Sequence, residues 1–537
     1  MPHKPPRSDF LIVAGLYVGA HGLMLLNNGL YWDDWTIFGF PYAAVTQWYR
    51  EYGLPLFGYY HLVLDSLGVP AYRILVFLSY LVSAACLYGI LTRVREIDRR
   101  TAFVLALFFV LFPSNSARIS VMASRTSLCY ALFFAGFWLA CLYLDKRVPA
   151  LRVAALILLC ASFLTHSFLV FYIVVLIYIA YHEKSGLGGV RALPGFVLRY
   201  LDFFALPVIF WIIKLLYFEP YGSYEGYNRI TLGSALNGFF LIGAAFYGGF
   251  VEPLVASFRL PLVVLIAAAI LSCFGARLIG RMNGSASAQP LRLSFWFLVL
   301  GIVLFVAGVF AYLAVGKVPS PYDWNSRHQL LTPLGASLIL VYLPRLILAE
   351  RVQNLVYALL VAAFLAADVQ QWVVFQKDWY KQVALIESFK ESPEIRRGHY
   401  FLIQDKTADL DANHRVYRFY EYTGLFHAAF GDERRLGQEV RSFRVQDFND
   451  LRSMLNSQFR LGEYDASVSS PDAVLIVEHG ELKLTPWDVI RLRFLEWSDT
   501  SEFHADVKHV VRVSVVENVS VVRHGRDITV APREQGK

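Results

Sequence analysis

The chain has 537 residues, a mean hydropathy of +0.46, 56% hydrophobic residues and only 17% charged ones. That composition excludes a soluble globular core and marks an integral membrane protein. The formal net charge of +7 is not a nucleic-acid footprint, because much of the excess lies in short turns between apolar runs.

Lys4 and Arg7 precede an apolar run from Phe10 to about Leu26, and no small-residue cleavage site follows. This reads as an uncleaved first span rather than a secretory signal. Directly after it comes Asn27-Asn28-Gly29-Leu30-Tyr31-Trp32-Asp33-Asp34-Trp35. Two adjacent carboxylates sit at the end of a span, between indoles that favour the headgroup level. Adjacent like charges raise each other's pKa, which suits proton abstraction or cation binding. The pair would serve equally as a solvated helix end or the N-cap of an interfacial helix.

Apolar runs at 10–27, 72–91, 101–113, 126–144, 150–164, 167–181, 200–217, 258–275, 293–315, 329–348 and 352–372 predict a polytopic all-α membrane bundle of about eleven transmembrane helices. Lys4 and Arg7, the turn Arg93–Arg100, and the later clusters Lys146/Arg147/Arg152, Lys184/Arg191/Arg199, Arg277/Arg281/Arg292 and Arg345/Arg351 then all fall on one side. By the positive-inside bias that side is the cytoplasm. The Asp33-Asp34 loop and the C-terminal tail fall on the other. The stretch 236–256 is long enough to cross, but a crossing would put Arg277 and Arg281 outside, and Gly and Pro interrupt it. It is expected to be an interfacial or re-entrant segment on the outer side.

The outer loops are distinctive. Residues 28–71 carry Trp48, Tyr49, Tyr52, Tyr59 and Tyr60 and read as one or two interfacial helices. The second loop is Phe112-Pro113-Ser114-Asn115-Ser116-Ala117-Arg118, running on to Ser124-Arg125-Thr126; the third is a tight apex, Thr165-His166-Ser167. The fourth runs from Glu219 to Arg229 and includes Tyr227; the fifth runs from Lys317 to His328 and includes Tyr322. After Trp372 the composition changes: Phe375 to about Glu391 reads as an amphipathic helix leaving the membrane. Alternating β-branched runs then follow at 399–403, 473–477 and 507–522. The expected division is a membrane domain, residues 1–372, and an extracytoplasmic α+β or mainly β domain, residues 373–537. The five cysteines, all in or beside apolar runs, show no metal-ligand spacing. No Walker loop or dinucleotide fingerprint is present.

Facing outward at the membrane surface, the sequence collects Asp33 and Asp34 with Arg118, Arg125, Arg327, His166, His328 and Lys317. Acid and base at headgroup depth point to a phosphate-bearing lipid and a hydroxyl to be activated, since arginine pairs with phosphate through two parallel hydrogen bonds. Each cation taken singly is also explained as an interfacial side chain that snorkels.

In this order the pieces resemble the GT-C class of membrane glycosyltransferases, which includes protein O-mannosyltransferases and bacterial enzymes that use polyprenyl-phosphate sugars. Tyr31-Trp32-Asp33-Asp34 is similar to the acidic pair of that class's first outer loop. Phe112-Pro113-Ser114-Asn115 with downstream Arg125 is similar to its proline-led loop. The Leu164-Thr165-His166-Ser167 apex stands where relatives often carry Lys-Glu, and Ser326-Arg327-His328-Gln329-Leu330-Leu331-Thr332-Pro333 is similar to their Arg-(Tyr/His)-x-x-x-x-Pro segment. The resemblance covers roughly residues 10–350 and departs in lacking the early arginine-proline pair.

The resemblance implies inverting transfer of a sugar from a polyprenyl-phosphate carrier to a hydroxyl of a glycan, glycolipid or protein acceptor, on the extracytoplasmic face of a bacterial inner membrane. Asp33 is the expected general base, and Asp34 tunes it, holds the acceptor or helps bind a divalent cation. Arg327, then Arg125 and Arg118, with His328, His166 and Lys317, are the expected phosphate partners. Metal use varies across this class; Mg or Mn, if used, would fall to Asp33 and Asp34. Other partners are membrane lipids, and no nucleic acid. Three alternatives stay open: a lipid-linked glycan polymerase or ligase; a flippase or transporter of a lipid-linked precursor, which would place charge at the bilayer midplane; and a structural anchor that works through its outer tail.

Overall fold

The computed structural model describes residues 7–183, 193–226, 228–281, 290–321, 323–431, 435–440, 471–517, 519–524 and 527–532. Lys4, Lys184, Arg191, Tyr227 and Tyr322 lie outside the described residues. The chain is a multi-pass helical membrane protein with a small mixed sheet in its C-terminal part. Among the described residues, six helices are long and apolar enough to cross a bilayer: Ser8–Leu26, Val69–Leu91, Ser124–Lys146, Val263–Gly280, Leu291–Leu313 and Glu350–Glu391. Shorter apolar helices, including Pro149–Ser162, Ser167–Glu183 and Thr332–Ile347, fill in between them. Helix starts follow local chemistry. Gly68, at φ +81°, and Pro70 open the helix at Val69, and the Asp98 carboxylate accepts from Thr101 N at 2.8 Å to start the helix Arg99–Leu111.

Ion pairs gather the basic turns at one end of the bundle. Arg99 bonds Asp9 at 2.6 Å, Arg345 meets Asp98 at 3.1 Å and Arg100 meets Glu350 at 3.0 Å. Arg93 meets Asp145 at 3.0 Å, Arg147 pairs with Glu183, and Arg152 holds Asp202 at 2.5 Å. The opposite end joins the loops expected outside. Tyr60 donates to Ser124 Oγ at 2.7 Å, Tyr221 N to Glu51 O at 3.0 Å, and Ala117 N to Ser326 Oγ at 2.8 Å.

The stretch 236–256 falls within a bent helix pair, Leu232–Phe240 and Ile242–Ala256, with 55° between the halves. Both of its flanks stay at the acidic-loop end. Asn228 accepts from Lys317 Nζ at 2.6 Å, while Pro253 and Ser257 border a cavity with Pro113 and Ser116. The next helix, Leu262–Arg281, then runs to the basic end, where Gly280 lies against Asn354. The contacts of both flanks thus fall at one end of the bundle.

The composition change after Trp372 is not a break in the helix. One helix runs from Glu350 to Glu391, 42 residues, and stops only at Ser392-Pro393. At 1.5 Å per residue this is about 63 Å, about twice a bilayer core. No proline or glycine interrupts it between 372 and 391, so a change of polarity alone leaves the backbone helical. Around its C-terminal half packs a sheet of order β2-β1-β3-β4, with β1 Tyr400–Asp405, β2 Leu436–Glu439, β3 Ala473–His479 and β4 Val511–Glu517. β1 pairs parallel with β2 and β3, with Phe401 opposite Ala473, and β4 closes antiparallel on β3. With the helices Phe419–Phe430, Pro486–Ser498 and Thr500–Val507, the tail is α+β. Its core, built on Trp379, Phe389, Phe401, Phe426 and Leu475, also takes in Leu30, Trp35 and Ile37 from the first outer loop. The tail and that loop therefore fold as one body.

Candidate functional site

The first outer loop is sewn to the long helix. Gln382 exchanges two hydrogen bonds with the Leu30 backbone, Asn27 Nδ2 donates to Gln376 at 3.1 Å, and Tyr31 donates to Phe375 O at 2.7 Å. Buried Arg73 donates to Gly29 O at 2.6 Å. Within this frame the two acids part company. Asp34 is fully buried and accepts from Tyr31 N at 3.0 Å, from Met122 N at 3.0 Å and from Ser120 Oγ. Burial holds its carboxyl above the usual range. Asp34 thus clamps the first outer loop to the second, which is a correction to the expected shared acid pair. In the 3-10 turn Trp32–Thr36 successive side chains point about 120° apart, so Asp34 faces inward while Asp33 does not.

Asp33 is only half-buried and accepts from the Tyr420 hydroxyl at 3.2 Å. Arg418 lies within electrostatic reach of the same carboxylate. Burial, then the Asp33 charge, raises the Tyr420 phenol well above its ordinary range, so it remains a donor. Both residues come from the tail. Trp32, between Tyr31 and Asp33, sits at φ +52°, a conformation a bulky residue adopts only when its contacts impose it. Those contacts are visible: Trp32 N donates to Glu421 at 3.2 Å, Arg415 lies 5.4 Å from its ring, and its indole stacks on Trp324 at 5.6 Å.

Trp324 leads to the cations. The Arg327 guanidinium covers the Trp324 ring at 4.1 Å and donates to Trp324 O at 2.6 Å. Arg125 lies 5.1 Å from the Tyr52 ring, with its Nε buried and without a hydrogen-bond partner. Burial pushes the Lys317 ammonium down to about 8, with Arg327 and Arg125 adding to the effect. Burial, then Arg327 and Lys317, brings the His328 imidazole down to about 2. Burial, then Lys214 and Arg125, brings His166 down to about 3, and Lys214 Nζ lies 3.4 Å from His166 Nδ1. Arg125, Arg327, Lys317, His166 and His328 thus share one electrostatic neighbourhood. Its positive charge comes from the arginines and lysines, because both histidines are neutral at pH 7.

Arg118 is not part of it. It is buried 3.2 Å from the His21 ring nitrogens and 3.7 Å from Asp368, under Tyr80 and Trp372, beside a cavity of about 410 Å³. Its partner Asp368 lies in the last apolar run, where the sequence shows nothing to pair it with a loop 250 residues earlier. Tyr420, Arg418 and Arg415 escape a reading of the sequence for a related reason. The only local sign is the alternation of basic and aromatic residues in Arg415-Val416-Tyr417-Arg418-Phe419-Tyr420.

Asp34 is committed to three donors inside the fold, from Tyr31, Ser120 and Met122. Among the described residues, no three His, Cys, Asp or Glu side chains are placed to hold a metal. The described cysteines are all free.

No family model matches the chain, and no curated protein matches it. Among solved structures, ArnT from Cupriavidus metallidurans, crystallised bound to undecaprenyl phosphate, is similar to 97% of this chain and 96% of its own. The identity is 11% and the TM-score 0.28. A superposition that distant transfers no residue roles.

Proposed function

We propose that this protein transfers a glycosyl group from a polyprenyl-phosphate carrier to an acceptor hydroxyl, with inversion, at the face that carries Asp33. The observation that supports this best is the stack of Trp32 on Trp324, which joins the turn carrying the half-exposed Asp33 to the segment carrying Arg327, and Lys317 in turn lies in electrostatic reach of Arg327 and Arg125. An anion with an apolar tail suits such a group at a membrane surface. Asp33 accepts the acceptor hydroxyl's proton as its oxygen attacks the anomeric carbon. The bond from that carbon to the carrier phosphate oxygen breaks, and Arg327, Arg125 and Lys317 receive the charge that develops on the phosphate. Tyr420 and Arg418 hold Asp33 in position. In this reading Asp34 is structural, Arg118 serves another cavity, and no step runs through a metal. The basic-turn end faces the cytoplasm, and the tail, outside, borders the site.

The test is transfer by purified protein in nanodiscs, from short-chain polyprenyl-phosphate sugars to added acceptors. Asp33→Asn should abolish product, and Arg327→Ala should reduce it by about 10²–10³, as loss of one preorganised charge partner does. Near-normal transfer by the Asp33→Asn variant would remove Asp33 from the mechanism. Movement of intact donor across the bilayer without transfer would instead identify a flippase.

A further inference from the structure

The helix Pro486–Ser498 is apolar on two faces. Inward, Val489 and Leu492 are buried in the tail's core. Outward, Trp487, Ile490, Phe494 and Trp497 are exposed by 77, 57, 61 and 82%. Their spacing of three, four and three residues puts all four on one stripe. Soluble surfaces rarely leave such a stripe uncovered.

Its height relative to the membrane is readable from its contacts. Glu496 accepts from Asn28 Nδ2 at 3.4 Å, and Asn28 is the second residue beyond the first candidate span, Ser8–Leu26. That span's last turn turns Leu23 and Leu26 outward, 39% and 41% exposed. Further up the long helix, Arg493 lies over Trp379 and Tyr380 donates to Val489 O at 3.1 Å. The helix therefore descends toward its C-terminus, and Trp497 stands at the level where the first span ends. Indoles favour this depth, where the ring meets acyl chains and the N–H meets water and headgroups.

We infer that the helix Pro486–Ser498 is a membrane-docking element, its stripe seated in the headgroup–acyl boundary of the leaflet that borders the tail. The occupant is lipid. The contact would brace the tail, and with it Tyr420, over the first outer loop.

The test uses the full chain in nanodiscs and compares wild type with the double variant Trp487→Phe and Trp497→Phe, which keeps the stripe apolar and removes two fluorophores. The difference in emission isolates the two indoles. In nanodiscs whose lipids carry bromine at shallow acyl positions, that difference emission should be lost, while aqueous iodide leaves it intact. Emission untouched by bromine and quenched by iodide would place the stripe in solvent. Emission untouched by either would place it under protein, a second copy or another partner. Both results would overturn the inference.

Discussion

The indole of Trp32 stacks on that of Trp324 with ring centroids 5.6 Å apart and 27° between their planes. The two residues lie 292 positions apart in sequence. One precedes the acid, and the other lies under the Arg327 guanidinium. Trp324→Ala should therefore cost about 0.5–1.5 kcal/mol from the lost ring pair beyond area burial. It should lower kcat/KM for transfer far more than thermal stability, and Trp324→Phe should restore part of the rate. A rate unchanged in the alanine variant would uncouple the stack from the site.

The two acids should separate in stability measurements. Asp34→Asn sets an amide against Ser120 and the Met122 N–H, so a buried donor loses its acceptor, at about 1–3 kcal/mol. Its melting temperature should fall, while Asp33→Asn should melt as wild type does. Thermal unfolding of detergent-purified protein reads both.

Lys317 gives the site a pH signature. Its folded-state value, about 8, lies below the ordinary 10.5. Between these values the unfolded chain binds more protons than the folded one, so this group's contribution to stability rises with pH across that window. It is lost as pH falls through 8. Donor binding moves the other way: above pH 8 the ammonium loses its charge and KM for the lipid-phosphate donor should rise. Lys317→Met should flatten that limb of the KM profile between pH 7 and about 9.5.

Gly424 is pressed against the first outer loop, where an added Cβ would come 2.4 Å from Trp35 Cε3. Gly424→Ala should displace the helix Phe419–Phe430, costing about 1–3 kcal/mol as overpacking does. Because that helix carries Tyr420, transfer should fall with it. A thermal melt and a rate measured on one preparation test the two together.

Much of the architecture is legible in the chain itself. Apolar runs of span length, the basic turns between them, the aromatic interfacial loop and the Gly/Pro-broken stretch at 236–256 are sums over neighbouring residues. Solvent transfer acts on each residue where it stands, and the observed helices and loop contacts follow those patterns. The tertiary structure decided the pairings: that Asp34 turns inward to Ser120 while Asp33 stays half-exposed to Tyr420, that Arg118 goes to Asp368 and His21 instead of joining Arg327, and that the helix continues past Trp372 into the tail's core. Each of these depends on which side chains, hundreds of residues apart, are packed into contact. Local polarity carries no record of that choice, because an arginine looks the same in sequence whether a buried aspartate or a phosphate awaits it.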